Sequence, residues 1–97
     1  MLYYCYILYS PTLDKFYIGE TENLEERLIQ HNTGIHEVAY TKQVSDWELY
    51  HEIICQSRSQ VRAIERHIKQ MKSKIYIKNL RRYPEMSKKL LNKFNMQ

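Results

Sequence analysis

The sequence predicts an α+β fold: a small three-stranded antiparallel β-sheet flanked by α-helices. Two short apolar runs rich in tyrosine open the chain, at residues 2–9 and 15–19, and a third run of alternating character covers residues 47–55. Runs of this kind suit the pleated surface of a sheet. Segments with helical spacing of apolar residues lie between and after them. The order strand, strand, helix, strand, helix, helix is typical of helices packed on an antiparallel sheet.

The first two runs predict a β-hairpin. Residues 2–9 read as a central strand, and residues 15–19 as its antiparallel neighbour, after a turn that contains proline and aspartate. Alternation along a strand places Tyr17 and Gly19 on one face of the second strand. Tyr6 and Tyr17 can then be neighbours on one side of the sheet if the strand register permits it.

The next segment carries helix signals at both ends. Thr21 or Asn23 can cap the start, and Gly34 suits the stop. At about 100° per residue, Arg27 and His31 fall beside the leucines of this helix. A cation and an imidazole are therefore expected at the border of its buried face.

The third run predicts the last strand, and more helices follow it. Its alternation favours one half-buried face made of Trp47, Leu49, His51 and Ile53. Ser57 or Ser59 then begins a helix with an apolar stripe, and Glu65 lies at the margin of that stripe. A basic helix over residues 73–80 and a short amphipathic helix after Pro84 complete the chain.

Length and composition limit the kind of protein. Ninety-seven residues, 43% of them hydrophobic and 27% charged, are typical of one globular domain. We expect a single domain over residues 1–97, with a core at about residues 2–80 and a C-terminal helical extension at about residues 81–95.

The apolar opening is too short to span a bilayer and has no signal-peptide pattern, so we expect a cytoplasmic location and no membrane partner. Cys5 and Cys55 are expected to be buried free thiols.

The distribution of charge points towards a polyanion. Fifteen Lys and Arg residues against eleven Asp and Glu give a net charge of +4, and the excess is concentrated after residue 57. One interpretation is a solvated helical face, and the other is a surface that follows phosphates. In the second interpretation, the expected nucleic-acid-binding residues are Lys42, Arg58, Arg62, Lys69, Lys72 and Lys74.

Five residues at or near inward-facing positions have side chains that fit phosphodiester hydrolysis: Tyr6, Tyr17, Arg27, His31 and Glu65. Such a hydrolase needs a metal to neutralise developing charge, a base for water and a cation for the phosphate oxygens. Glu65 can hold Mg²⁺ or Mn²⁺ with one carboxylate, and Arg27 offers a planar fork to the phosphate. A tyrosine can act as the base when cations and a metal favour its phenolate. Taken singly, each residue also has a structural interpretation, as an aromatic core filler, a surface ion pair or a satisfied histidine.

The motifs at these positions resemble those of the GIY-YIG nuclease superfamily, in particular its small single-domain branch. The first motif corresponds to Tyr4-Cys5-Tyr6 and the second to Tyr17-Ile18-Gly19, and the similarity extends to about Tyr76. The resemblance implies a three-stranded antiparallel sheet flanked by helices. It also implies metal-dependent cleavage of a nucleic-acid strand through one bound ion.

The resemblance also implies a role for each site residue. Tyr17 would be the base or the phenol that orients water, and Tyr6 its partner near the nucleophile. Arg27 would hold the phosphate, and Glu65 would bind the metal. His31 would assist proton transfer or contact the substrate.

Four further positions bear on the resemblance. Gly19 would let the backbone approach the site, because it has no side chain. Tyr4 stands where the motif name has glycine. Glu20 follows the second motif where excision-repair relatives carry lysine, and a carboxylate beside the phosphate weakens binding unless it points outward. The late asparagine of some homing-type relatives has only Asn79 as a weak counterpart.

Together these observations predict a metal-dependent endonuclease that hydrolyses phosphodiester bonds in DNA, as a monomer or homodimer. One small domain has little surface for sequence readout, which favours recognition of DNA structure. A catalytically inactive nucleic-acid-binding module of the same fold is the alternative. A tyrosine-rich protein-interaction domain is a third interpretation.

Overall fold

The computed structural model describes residues 1–34 and 43–95. Three strands and four helices make up this part of the chain. In order they are β1 (Tyr3–Ser10), β2 (Lys15–Thr21), α1 (Leu24–Thr33), β3 (Glu48–Cys55), α2 (Arg58–Met71), α3 (Lys74–Arg82) and α4 (Pro84–Lys93). The α+β class and the order of elements agree with the sequence prediction.

The sheet has the order β2-β1-β3, and both pairs of strands are antiparallel. The tyrosine-rich first strand is central, as its apolar character on both faces predicts. In the register of the hairpin, Tyr6 lies opposite Gly19, and Leu8 lies opposite Tyr17. Tyr6 and Tyr17 are therefore diagonal neighbours on one face of the sheet, which confirms the expectation from alternation.

The regular alternation expected of the third strand is wrong, because the β1–β3 pairing has an irregularity. Ile7 pairs with His51, whereas the next residue, Leu8, pairs with Leu49, so that Tyr50 is an extra residue on β3. A bulge of this kind reverses which face the following side chains occupy. Trp47 consequently packs with Leu8 on the side of α1, while Ile53 packs in the core on the other side.

The two faces of the sheet bury different layers. On one face Tyr6, Leu8 and Trp47 form a small cluster with leucines of α1. The opposite face carries the larger core, which α2, α3 and α4 cover. Its buried members are Cys5, Ile7, Ile53, Cys55, Val61, Ile64, Ile68, Ile77, Leu80 and Leu90. Both cysteines are buried free thiols, as expected.

Local capping fixes α1 in place. Asn23 is its N-cap, and the Asn23 side chain accepts a hydrogen bond of 3.1 Å from the Glu26 backbone N–H. Gly34 ends the helix at φ 75°, a left-handed conformation that suits glycine. Near this end, the Asn32 amide donates to the Trp47 carbonyl at 2.8 Å and accepts from the Trp47 N–H at 2.7 Å. This paired contact ties the chain before β3 to α1.

The helices that cover the larger core are joined by side-chain hydrogen bonds as well as by packing. Ser57 caps α2, and its side chain accepts from the Gln60 N–H at 3.1 Å. The buried Gln60 side chain accepts from the Gln56 N–H at 2.8 Å and donates to the Leu91 carbonyl at 3.1 Å, which links α2 to α4. In residues 1–34 and 43–95, no helix is long and apolar enough to cross a membrane.

Candidate active site

Tyr6 and His31 form the buried base of the candidate site. Their side chains are 1% and 0% exposed, and a hydrogen bond of 3.0 Å joins the Tyr6 hydroxyl to His31 Nε2. Burial raises the pKa of the Tyr6 phenol well above its ordinary value, and nearby Tyr17 raises it further, whereas the Arg27 guanidinium lowers it. A buried neutral phenol is suited to positioning its neighbours rather than to meeting solvent.

Gly19 is required by the position of the Tyr6 ring. A β-carbon built on Gly19 would lie 2.5 Å from the Tyr6 hydroxyl oxygen and 2.7 Å from its Cζ atom. The phenol therefore crosses the backbone of β2 at a point where any side chain would collide with it. The close approach expected at Gly19 is therefore made by the Tyr6 ring of the same chain.

Tyr17 is the more accessible of the two phenols, since it is only half-buried. Its ring centroid lies 4.9 Å from that of His31, 6.4 Å from that of Tyr6 and 6.5 Å from that of Trp47. Three rings thus hold the Tyr17 side chain while part of it stays open to solvent. This combination suits a group that has to act on a substrate.

Arg27 lines an open cleft of about 300 Å³ at the N-terminal part of α1. The cleft also contains Arg58, which pairs with Glu22 at 2.8 Å and lies 3.9 Å from Glu20. We refer to it as the arginine cleft. The two guanidinium groups can bind a phosphate group, against the repulsion of three carboxylates that line the same cleft, those of Glu20, Glu22 and Glu26.

Glu65 lines a second open cleft of about 450 Å³ along α2. Its side chain is 18% exposed, and one carboxylate oxygen lies 2.7 Å from Lys69 Nζ, one helical turn further on. We refer to this depression as the glutamate cleft. The carboxylate expected at the margin of the apolar stripe is therefore accessible and does not point into the core.

Glu20 connects the two clefts, because it lines both of them. Its side chain is 22% exposed, so the Glu20 carboxylate faces the two clefts rather than pointing away from them. Alternation along β2 could have indicated this, since Glu20 shares its face with Ile18, which packs against the α2 core. A carboxylate therefore stands at the centre of the candidate site, with Arg58 nearby to offset its charge.

The charged groups of both clefts act on the Tyr17 phenol. Burial raises its pKa above the ordinary value; Lys69 lowers it, Glu65 raises it and Arg27 lowers it. Arg27 belongs to α1 on one face of the sheet, and Glu65 belongs to α2 on the other. Since β2 is an edge strand, charged side chains on both faces of the sheet lie close enough to act electrostatically on this phenol.

The acidic groups of the site fit a metal held by few protein ligands. In residues 1–34 and 43–95, no three His, Cys, Asp or Glu side chains converge as a metal-binding group. Mg²⁺ is often bound through one or two carboxylates, with waters and substrate oxygens completing the octahedron. The carboxylates of Glu65 and Glu20, which line one open cleft, meet that minimal requirement.

Five of the six basic residues expected to bind nucleic acid lie in the described residues, and Lys42 lies outside them. Arg58 lines the arginine cleft. The glutamate cleft is lined by Arg62, Lys69 and Lys72. Lys74 lines a third cleft of about 260 Å³, together with Lys15, a residue that sequence reasoning missed. The cations therefore follow the edge of the sheet.

Comparison with known proteins agrees with this architecture. The family model described as the GIY-YIG catalytic domain matches residues 2–81, which is most of the chain. The protein therefore belongs to the GIY-YIG family, a family of nucleases. Searches of curated proteins and of solved structures each gave no match.

Proposed function

We propose that the protein is a metal-dependent endonuclease that hydrolyses phosphodiester bonds in DNA and recognises DNA structure rather than sequence. The observation that carries the proposal is that Arg27 and Glu65 line two open clefts that share Glu20, and that both charges shift the pKa of the half-buried Tyr17 phenol. Arg27, Glu65 and Tyr17 come from α1, α2 and β2, which are far apart in the sequence. Packing alone does not require a cation and a carboxylate to line adjoining open clefts within electrostatic range of one phenol.

Each residue has a distinct role in the proposed mechanism. Arg27 binds the non-bridging oxygens of the scissile phosphate with its guanidinium fork. Glu65, assisted by Glu20, holds Mg²⁺ or Mn²⁺, and the ion when bound supplies Lewis-acid stabilisation of the charge that builds up on the phosphate. Tyr17, as the phenolate, orients the attacking water and accepts its proton as the water oxygen bonds to phosphorus. The P–O bond to the leaving sugar oxygen breaks, and that oxygen takes a proton from solvent. Tyr6 and His31 act as positioning residues, because both are buried and contact the Tyr17 ring.

A binding module without catalysis is the second candidate, and Glu20 is the observation that favours it. The Glu20 carboxylate faces the groove beside Arg27, where it repels a phosphate, and Lys69 already pairs with Glu65 at 2.7 Å. A bound divalent ion would offset both effects, since it neutralises the carboxylates and can release Lys69 towards the phosphate. The two candidate functions therefore differ in the effect of a divalent metal: the endonuclease cuts DNA when the metal is present, whereas the binding module does not.

The proposed function is tested with the wild-type protein on flapped, branched and plain duplex DNA, with Mg²⁺, Mn²⁺ or EDTA. We expect strand cuts with either metal, none with EDTA and faster cutting of the branched substrates, measured as labelled products on denaturing gels. Binding without cuts under every metal condition would support the inactive module. Neither binding nor cutting by a folded protein would support a protein-interaction domain.

The pH dependence of cutting tests Tyr17 as the base. Its raised pKa means that the phenolate fraction still increases with pH over the whole neutral to alkaline range. We expect the cutting rate at saturating metal to rise from about pH 6 to about pH 9 without a plateau. Tyr17→Phe should lower the rate and flatten this rise, whereas the control Tyr83→Phe, at an exposed tyrosine, should keep the wild-type profile. An unchanged slope in Tyr17→Phe would remove the phenol from this role.

A further inference from the structure

The three clefts adjoin one another along the edge strand β2. The arginine and glutamate clefts share Glu20, and the glutamate and third clefts share Lys69 and Lys72. We call this the edge groove; it runs from Arg58 at one end to Lys15 and Lys74 at the other. The candidate active site occupies only the part near Glu20, so the rest of the groove needs a separate explanation.

Within residues 1–34 and 43–95, several cations of the edge groove have no anionic partner. Lys15, Arg62 and Lys72 form no ion pair with any residue in the described part of the chain, although all three are exposed in the groove. Exposed cations that line adjoining clefts produce a positive field that attracts a polyanion. Phosphates of a nucleic-acid backbone are the ligand that this charge favours.

Lys72 is also held in an unusual backbone conformation. It caps the C-terminus of α2 at φ 48°, in the left-handed region where glycine is the favoured residue. A lysine at this position costs conformational energy that glycine would avoid. Strain of this kind often marks a functional residue, and here the residue carries a charge that forms no ion pair within the described part of the chain.

The part of β2 that borders the edge groove is long enough to span several base pairs of duplex DNA lying along the strand. Glu20 and Lys15 are five residues apart on β2, which spans about 17 Å at the usual rise of a strand. B-DNA advances about 3.4 Å per base pair, so this distance corresponds to about five base-pair steps. One backbone can therefore reach from the candidate active site to Lys15.

We propose that the edge groove binds the phosphate backbone of a DNA duplex that lies parallel to β2, with Lys15 and Lys72 contacting phosphates beyond the scissile one. The inference rests on the proposed function, since it places the cleaved phosphate near Glu20. It adds the orientation of the DNA relative to β2 and two binding residues that lie away from the scissile phosphate.

The test measures DNA binding as a function of salt, in EDTA so that no strand is cut. A fluorescent duplex is titrated with wild-type protein and with Lys15→Gln, Lys72→Gly and the control Lys88→Gln, an exposed lysine of α4 that lines none of the three clefts. Each lost phosphate contact should reduce the magnitude of the salt slope by about 0.9 and weaken binding by about fivefold at 0.15 M salt. The control should bind as the wild type does.

Lys72→Gly separates binding from folding. Because glycine suits the left-handed position, its melting temperature should equal or exceed that of the wild type while its DNA affinity falls. Wild-type slopes in both Lys15→Gln and Lys72→Gly, in a protein that binds and cuts DNA, would overturn the edge groove and leave the proposed function intact. Failure of the wild type to bind any duplex would overturn both.

Discussion

Glu65→Gln is expected to abolish metal-dependent cutting while leaving the protein folded. Removing the carboxylate removes the principal metal ligand of the proposed site, and losses at groups that stabilise transition-state charge are typically a hundredfold to a thousandfold or more. We expect the cutting rate to fall by at least about a thousandfold. The Lys69 ion pair is lost as well, but a pair of this kind on a helix contributes only about 0.3–0.5 kcal/mol.

The Glu65→Gln experiment tests metal binding separately from nucleic-acid binding. DNA affinity in EDTA should be retained in Glu65→Gln, because removing a negative charge does not weaken phosphate binding. Glu52→Gln, at an exposed carboxylate on β3, is the matched control and should cut as the wild type does. Isothermal titration with Mn²⁺ should show loss of binding only in Glu65→Gln. Cutting by Glu65→Gln within tenfold of the wild-type rate would contradict the assignment of the metal ligand.

Gly19→Ala is expected to destabilise the protein by about 1–3 kcal/mol, the usual range for overpacking a buried site. The added methyl group would lie 2.5 Å from the Tyr6 hydroxyl, so the ring must move and the Tyr6–His31 hydrogen bond must lengthen or break. For a domain of this size, a loss of about 2 kcal/mol lowers the melting temperature by roughly 10 °C. Thermal unfolding followed by circular dichroism measures the change.

A double-mutant cycle identifies the collision as the cause. Tyr6→Leu removes the ring atoms that the new methyl group would meet, so Gly19→Ala should cost much less in that background. The difference between the two costs is the coupling energy, and we expect it to exceed about 1 kcal/mol. Equal costs in both backgrounds would show that the penalty arises in the backbone of β2 and not at Tyr6.

Features that depend on nearby residues could be predicted from the sequence. The hairpin follows from two apolar runs around a turn, and α1 follows from Asn23 and Gly34, whose capping roles are local. Tyr17 and Gly19 could be placed on one face of β2, because alternation within a strand needs no knowledge of its neighbour, whereas adding Tyr6 to that face required the register of the hairpin. The candidate site could be predicted because its motif residues lie on strands and helices that local sequence patterns identify.

Features that depend on contacts between distant segments were not predictable in the same way. The extra residue at Tyr50 reverses the faces of β3, and it arises from the pairing of β3 with β1. The place of Glu20 and Lys15 in one groove depends on α2 lying beside the edge strand β2, and no local pattern encodes that arrangement. The collision that requires Gly19 depends on its register with Tyr6.

The attachment of α4 bears on how a shortened version of the protein should be made. The family model ends at residue 81, yet Leu90 is buried in the larger core, and the Leu91 carbonyl accepts from Gln60. A cut at residue 81 would uncover the apolar surface of α2 and α3 and leave an internal amide without its acceptor. Crystallisation or engineering work that trims this protein to its family boundary would therefore begin with a destabilised domain, and the last helix belongs in any minimal unit.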